Sequence, residues 1–167
     1  IKLYKNNKFI KEEVGQLQLT DYGISGICVF NLSGLVAKSL ENKNTVKIVI
    51  DFLPIVKVNS LKEFVAWLDE RNKLLSKRNL VEFLEGIINY KLIQIFIKNL
   101  YLPKQASWND LSYQQKLDFA KQIKEFNLII KSTNSYEKAQ VCSGGIKLSE
   151  INLKTFESKL EPGVYFT

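Results

Sequence analysis

The chain has no histidine and no methionine, and its 167 residues include only two cysteines, three prolines, eight glycines and two arginines. Each shortage closes a class of function. Without an imidazole there is no His-dependent triad, proton shuttle or His-metal site within the chain. Cys28 and Cys142 form no CxxC pair, so a tetrahedral zinc set is also missing. They read as two reduced thiols of a cytoplasmic protein. Neither a GxxxxGK[ST] phosphate loop nor a GxGxxG turn occurs. No apolar run reaches the roughly 18 residues of a membrane span, because the stretch from Gly86 to Leu102 is interrupted by Asn89, Lys91, Gln94, Lys98 and Asn99.

What is present is an ordinary folded composition, 46% hydrophobic and 25% charged, enough for one domain or two small lobes. The net charge of +7 raises the question of nucleic acid. Against it, the only arginines are Arg71 and Arg78, and specific readers of phosphate and bases lean on arginine forks. The charge is also spread evenly, with 11 basic and 8 acidic residues in 60–125 and 13 and 9 elsewhere. No basic stripe emerges.

Hydrophobic periodicity predicts a β-rich start. A hairpin spans residues 1–10 around Asn6-Asn7, and a strand runs from Val14 to Thr20 with Gly15 at a bulge. A glycine-punctuated loop follows, "DYGISG". Then a helix presents Ile27, Phe30, Leu32, Leu35, Val36 and Leu40 on one face and ends near Asn42. "TVKIVIDFL" (45–53) reads as a strand stopped by Pro54. Ser60 with Glu63 is a capping box opening a helix, and further helices are expected at 78–85, 89–100 and 112–126. Strands return at 127–132, at 138–142 and at Val164-Tyr165-Phe166. The expected fold is α+β: a small barrel-like β lobe (1–57 with 126–167) carrying an inserted all-helical lobe (58–125). Trp67 falls in phase with the core positions Phe64 and Leu68, whereas Trp108 reads as a loop anchor. The pairs Asp69/Glu70 and Glu82/Glu85 read as solvated ion-pairing positions. A chain that opens on Ile1 without any methionine, and stops as an apolar strand begins, is expected to be a piece of a longer polypeptide.

Two glycine loops are the candidate sites. Thr20 to Gly26 runs into a helix whose free N–H groups, with Ser25 beside them, favour an anion or an electron-rich carbonyl. Cys142-Ser143-Gly144-Gly145 lets a flat ligand approach the backbone. Ordinary turn geometry accounts for either loop as well. The spacing Gly23…Gly26 also matches the GxxG clamp of KH domains, but Ile24-Ser25 supplies no basic residue.

The same loops carry a resemblance. "GQLQLTDYGISGICVFNLS" (15–33) is similar to the G-E-x-L-F-T-H-x-G-I-S-G-P segment of the BaiN/YhiN-type flavoproteins, a family of aminoacetone-oxidase-like, NAD(P)/FAD-dependent oxidoreductases. "AQVCSGGIKLSEINLKTFESKLEPGVYFT" (139–167) resembles their A-Q-V-T-x-G-G-V-x-L-x-E-I-x-x-x-T-M-E-S-K-x-x-P-G-L-Y-F segment. "IDFLP" (50–54) and the Arg78–Gly86 neighbourhood also match family words. Departures fall at Asp21 (His in the family), Ile27 (Pro), Cys142 (Thr) and Phe156 (Met).

The resemblance implies an inserted two-lobe region of an FAD-binding parent, whose Rossmann-like half lies before Ile1. The parent would use FAD, take electrons from NAD(P)H and act on a small molecule. The fragment would supply a lid and substrate wall, bind no cofactor alone, and partner the FAD-binding domain of its own chain rather than a membrane or a specific nucleic acid. It places Thr20, Gly23, Ser25, Gly26, Gly144 and Gly145 near the cofactor, both loops facing one flavin, with Asp21 and Cys142 as candidate catalytic residues. The alternative is an independent binding module, for example for RNA.

Overall fold

The computed structural model describes every residue except Tyr136, Lys138, residues 140–143 and Thr167. The fold is α+β. The described residues divide into two compact units, Ile1–Thr133 and Asn134–Thr167.

In the first unit, β1 (Lys2–Lys5) and β2 (Lys8–Glu12) form the expected hairpin. Asn6 and Asn7 both take positive φ, the backbone a two-residue hairpin turn needs and one that asparagine tolerates. The Asn6 side chain accepts from Thr45 N–H at 2.9 Å and donates to Asn44 Oδ1 at 2.8 Å, pinning the turn to the start of β5 (Val46–Ile50). With β6 (Phe126–Ile130), the antiparallel sheet runs β2-β1-β5-β6. Its bulge lies between Leu3 and Tyr4, not at Gly15. The predicted strand at 14–20 shrinks to β3 (Gln18–Leu19), paired only with β4 (Ile24–Ser25). Its spacing of apolar residues never alternates cleanly, so nothing sets a longer register.

Helix α1 (Ile27–Glu41) covers one sheet face. Cys28, Leu32 and Val36, at i, i+4 and i+8, form its buried stripe, and the latter two pack with Leu3, Val46, Ile48 and Ile50. Burial of such a face, at about 25 cal/mol per Å2, is what holds the helix down. The six-residue face expected from the sequence is in fact split. Ile27, Phe30 and Leu35 are exposed.

The helical lobe follows local signals closely. In α2 (Leu61–Leu75), Ser60 accepts from Glu63 N–H at 3.2 Å, while the Glu63 carboxylate reaches back to Asn59 N–H at 2.9 Å. Asn79, Asn89 and Ser112 cap α3 (Leu80–Leu84), α4 (Tyr90–Asn99) and α5 (Tyr113–Lys124), with capping boxes at Asn79 and Ser112. Trp108 is not a loop anchor. It is fully buried in a short 3-10 turn, stacked on Phe83 at 5.5 Å and edge-on to Phe119 at 6.2 Å.

The indole N–H of Trp108 donates to Asp69 at 2.7 Å, and Lys116 closes on the same oxygen at 2.8 Å. Asp69 is therefore a tie between helices α2 and α5, not a freely solvated charge. Burial pushes its carboxyl pKa up, but the hydrogen bonds from Lys116 and Trp108, with the charges of Lys116 and Lys73, outweigh this and leave it lowered.

Phe52 and Phe126 touch both the sheet core and the helical core. Beside them the largely buried Lys124 ammonium pairs with Asp51 at 2.6 Å and donates to the carbonyls of Leu53 and Val56 at 3.0 and 2.9 Å.

In the second unit, a 3-10 turn at Leu148–Glu150 precedes isolated bridges Ile151–Ser158 and Glu157–Tyr165. The expected strand at 138–142 rests largely on residues outside those described. The expected terminal strand is reduced to the Tyr165 bridge.

Candidate functional site

The stretch Thr20–Gly26 is a tight hairpin feeding directly into α1. Gln18 pairs with Ser25 and Leu19 with Ile24. Thr20 N–H donates to the Gly23 carbonyl at 2.9 Å, and the Thr20 hydroxyl accepts from Gly23 N–H at 3.1 Å. The hairpin is thus latched at its mouth by main chain and side chain together, with Asp21 and Tyr22 exposed at the tip.

Gly26 is the residue on which this geometry depends. Its φ is 105°, and a Cβ built there would lie 2.3 Å from the Gln16 carbonyl oxygen. The same carbonyl accepts from the buried Cys28 thiol at 3.3 Å. Residues 16, 26 and 28 therefore form a crossing that fixes the hairpin on the helix start. No side chain caps α1, and its first turn has no acidic residue. Val29 N–H donates to the Gly26 carbonyl at 2.9 Å, so the N–H groups of Ile27 and Cys28, with the partial positive charge of the helix start, are what it presents to an electron-rich group.

Around this helix start the unit exposes Leu19 and Tyr22 on the hairpin and Ile27 and Phe30 on α1, the last two assigned by the sequence reading to the core face of the helix. A signal for them did exist. Ile27, Phe30 and Gly34 share a helical stripe opposite Cys28, Leu32 and Val36, so the apolar positions of α1 occupy two sides, not one.

Gly144 and Gly145 lie in the second unit, both at positive φ and with open space where a side chain would stand. Backbone conformation accounts for glycine at both. Cys142 lies outside the described residues. Among the described residues no group of His, Cys, Asp and Glu could hold a metal ion, and no helix is long and apolar enough to cross a membrane. Of the expected site residues, Thr20, Asp21, Gly23, Ser25 and Gly26 thus stand together on one rigid element. That element presents hydroxyls, backbone amides and apolar surface.

Residues 1–141 match the family model described as HI0933-like protein barrel and H2TH domain, and the chain belongs to this family of BaiN/YhiN-type flavoproteins. Among its relatives, the 3-dehydro-bile acid delta(4,6)-reductase of Clostridium scindens is 34% identical over 159 residues, 95% of this chain. The chain spans 38% of that relative's length.

Proposed function

We propose that this chain is the two-lobe insert of an FAD-dependent oxidoreductase and forms a lid and substrate wall over the flavin. The carrying observation is the hairpin-to-helix element at Thr20–Gly26 in a member of a flavoprotein family, with uncapped helix N–H groups and exposed apolar side chains beside it. FAD, when bound in the parent, would supply the electron pair for reduction of a small molecule, and NAD(P)H would replenish it. The residues of this chain fit the remaining tasks. The start of α1 and Ser25 offer donors to an electron-rich carbonyl or phosphate, and the Thr20 latch holds the hairpin that carries them. Gly26 keeps that backbone close-set, and Leu19, Ile27 and Phe30 would exclude water from the reacting centre. Asp21, at the exposed tip, is the side chain placed to meet substrate. Cys142 is the corresponding candidate on the second loop, with Gly144 and Gly145 beside it. The two lobes together would move as a cap on a nucleotide-binding core.

The relative's reduction of a bile acid makes an apolar, carbonyl-bearing small molecule the first class of substrate to try. The test is to express the full gene product carrying this chain, record its visible spectrum and follow bleaching by NADH and NADPH under anaerobic conditions. A yellow protein reduced by either nucleotide is expected. A colourless protein that takes up no FAD would overturn the reading.

A further inference from the structure

Lysines lie scattered along the sequence, but folding gathers several of them on one face of the first unit. Leu3, Val46, Ile48 and Ile50 point into the core shared with α1. The residues that alternate with them, among them Lys2, Tyr4 and Lys47, therefore line the opposite face of the sheet. Between that face and the last turn of α5 lies a cleft of about 360 Å3, a volume at the lower end of the range for small-molecule sites. Tyr4 and Lys47 are direct partners across the ladder, with the Lys47 ammonium 5.0 Å from the centre of the Tyr4 ring. Lys2 and Lys121 add their ammonium groups from β1 and α5, and Glu12 and Glu125 add carboxylates. The Lys124–Asp51 pair belongs to the wall: its charges cancel, and the bonds from Lys124 to the Leu53 and Val56 carbonyls fix the helix end.

Among the described residues no ion pair reaches Lys2, Lys47 or Lys121, nor Glu12 or Glu125. Three unpaired ammonium groups against two unpaired carboxylates leave the cleft positive, and an anion placed among the lysines relieves their mutual repulsion. The excess is small, so a polyanion gains little there, each further phosphate meeting a carboxylate. Lysines act as point charges and suit a tetrahedral phosphate, whereas a planar carboxylate is the natural partner of an arginine fork. Ionised carboxylates, in turn, accept hydrogen bonds from hydroxyl groups. We infer that this cleft binds a small phosphate monoester that carries hydroxyl groups, a phosphorylated sugar in its simplest form. Lys2, Lys47 and Lys121 hold the phosphate, Glu12 and Glu125 accept from the hydroxyls, and Tyr4 and Val49 form the floor. The site lies on the sheet face that α1 does not cover, and it does not rest on the functional reading above.

Titration calorimetry of the full gene product with ribose 5-phosphate tests it. Saturable binding with a dissociation constant below about 1 mM is expected. Lys47→Gln and Lys121→Gln should each weaken it about tenfold, and Lys77→Gln, at an exposed position between α2 and α3, should leave it unchanged. Ribose 5-phosphate should also slow the acetylation of Lys47 and Lys121 by acetic anhydride and leave Lys77 as reactive as before, a readout that needs no variant. The absence of saturable binding overturns the site, as does binding that neither substitution weakens and that protects neither lysine. Inorganic phosphate bound as tightly as the ester overturns the role of Glu12 and Glu125 and, with it, the class of ligand. Free ribose bound as tightly as the ester overturns the role of the lysines.

Discussion

Replacing Gly26 by alanine adds one methyl group and should unlatch the whole candidate site. The new Cβ would stand 2.3 Å from the Gln16 oxygen, 3.2 Å from its carbonyl carbon and 3.3 Å from Gln18 N. All three are backbone atoms, which cannot swing aside as a side-chain tip can. Reaching a tolerable separation requires the Gln16 carbonyl to retreat by about 0.7 Å, and that carbonyl also receives the Cys28 thiol. A φ of 105° adds strain of its own for any L-residue, of about 1–3 kcal/mol. Together with the clash, the expected cost is about 2–4 kcal/mol. The loss should be local before it is global. Urea unfolding of the full gene product would read the total, and hydrogen exchange at Thr20 and Gly23, whose N–H groups close the latch, would read the hairpin. Faster exchange at those two amides, with the β5–β6 amides unchanged, is the expected pattern. Stability within about 0.5 kcal/mol of the parent and an unchanged hairpin would refute the claim that this crossing sets the site.

Three further outcomes are expected. Lys124→Ala removes the ammonium from Asp51 and from two carbonyls at the lobe junction, and should cost about 2–4 kcal/mol in urea unfolding; a loss under about 1 kcal/mol would mean the clamp contributes little. The Asp69 tie has a definite sign with pH: its folded pKa is lowered, so its contribution is present above the unfolded carboxylate pKa of about 3.9 and disappears as pH falls through the lower folded value. The stability gap between the parent protein and Asp69→Asn should accordingly be constant from about pH 5 to 7 and shrink below about pH 4, a trend that thermal melts across that range would detect or deny. Binding to DNA or RNA should be weak, sequence-indifferent and lost by about 200 mM salt, as titration of labelled oligonucleotides would show; a sequence-selective complex surviving that salt would revive the RNA-module alternative.

The parts of the fold that were readable from sequence are those written in short-range chemistry. Ser60, Asn79, Asn89 and Ser112 each cap a helix within three residues of themselves, so the helical lobe could be read off in one pass. Asn6-Asn7 gave away the first hairpin for the same reason. Trp108 could not be placed that way, because what buries it is a carboxylate 39 residues upstream and an aromatic ring on another helix. Asp69 pairs with a lysine, Lys116, as its ion-pairing reading expected, but the indole it also holds was out of reach for the same reason. At the candidate site, the glycine pattern pointed to Thr20–Gly26, but the reason for Gly26 is the passage of Gln16, which no local rule encodes. The exposed stripe on α1 was legible in phase and was passed over because apolar residues were assigned to a single face.

The register of β5 and β6 has a consequence for how this architecture could be edited. Ile50 and Phe126 are direct partners across the ladder, so the chain leaves the sheet and returns to it at neighbouring points, and everything between residues 51 and 125 occupies the position of a hairpin turn. The two ends of that segment thus already lie side by side. Cutting it out and joining Ile50 to Phe126 through a two-residue Asn-Gly turn would leave the ladder geometry satisfied. Such a shortened protein, given a polar residue where Phe126 now meets the helical core, would separate what the sheet contributes from what the excised segment contributes.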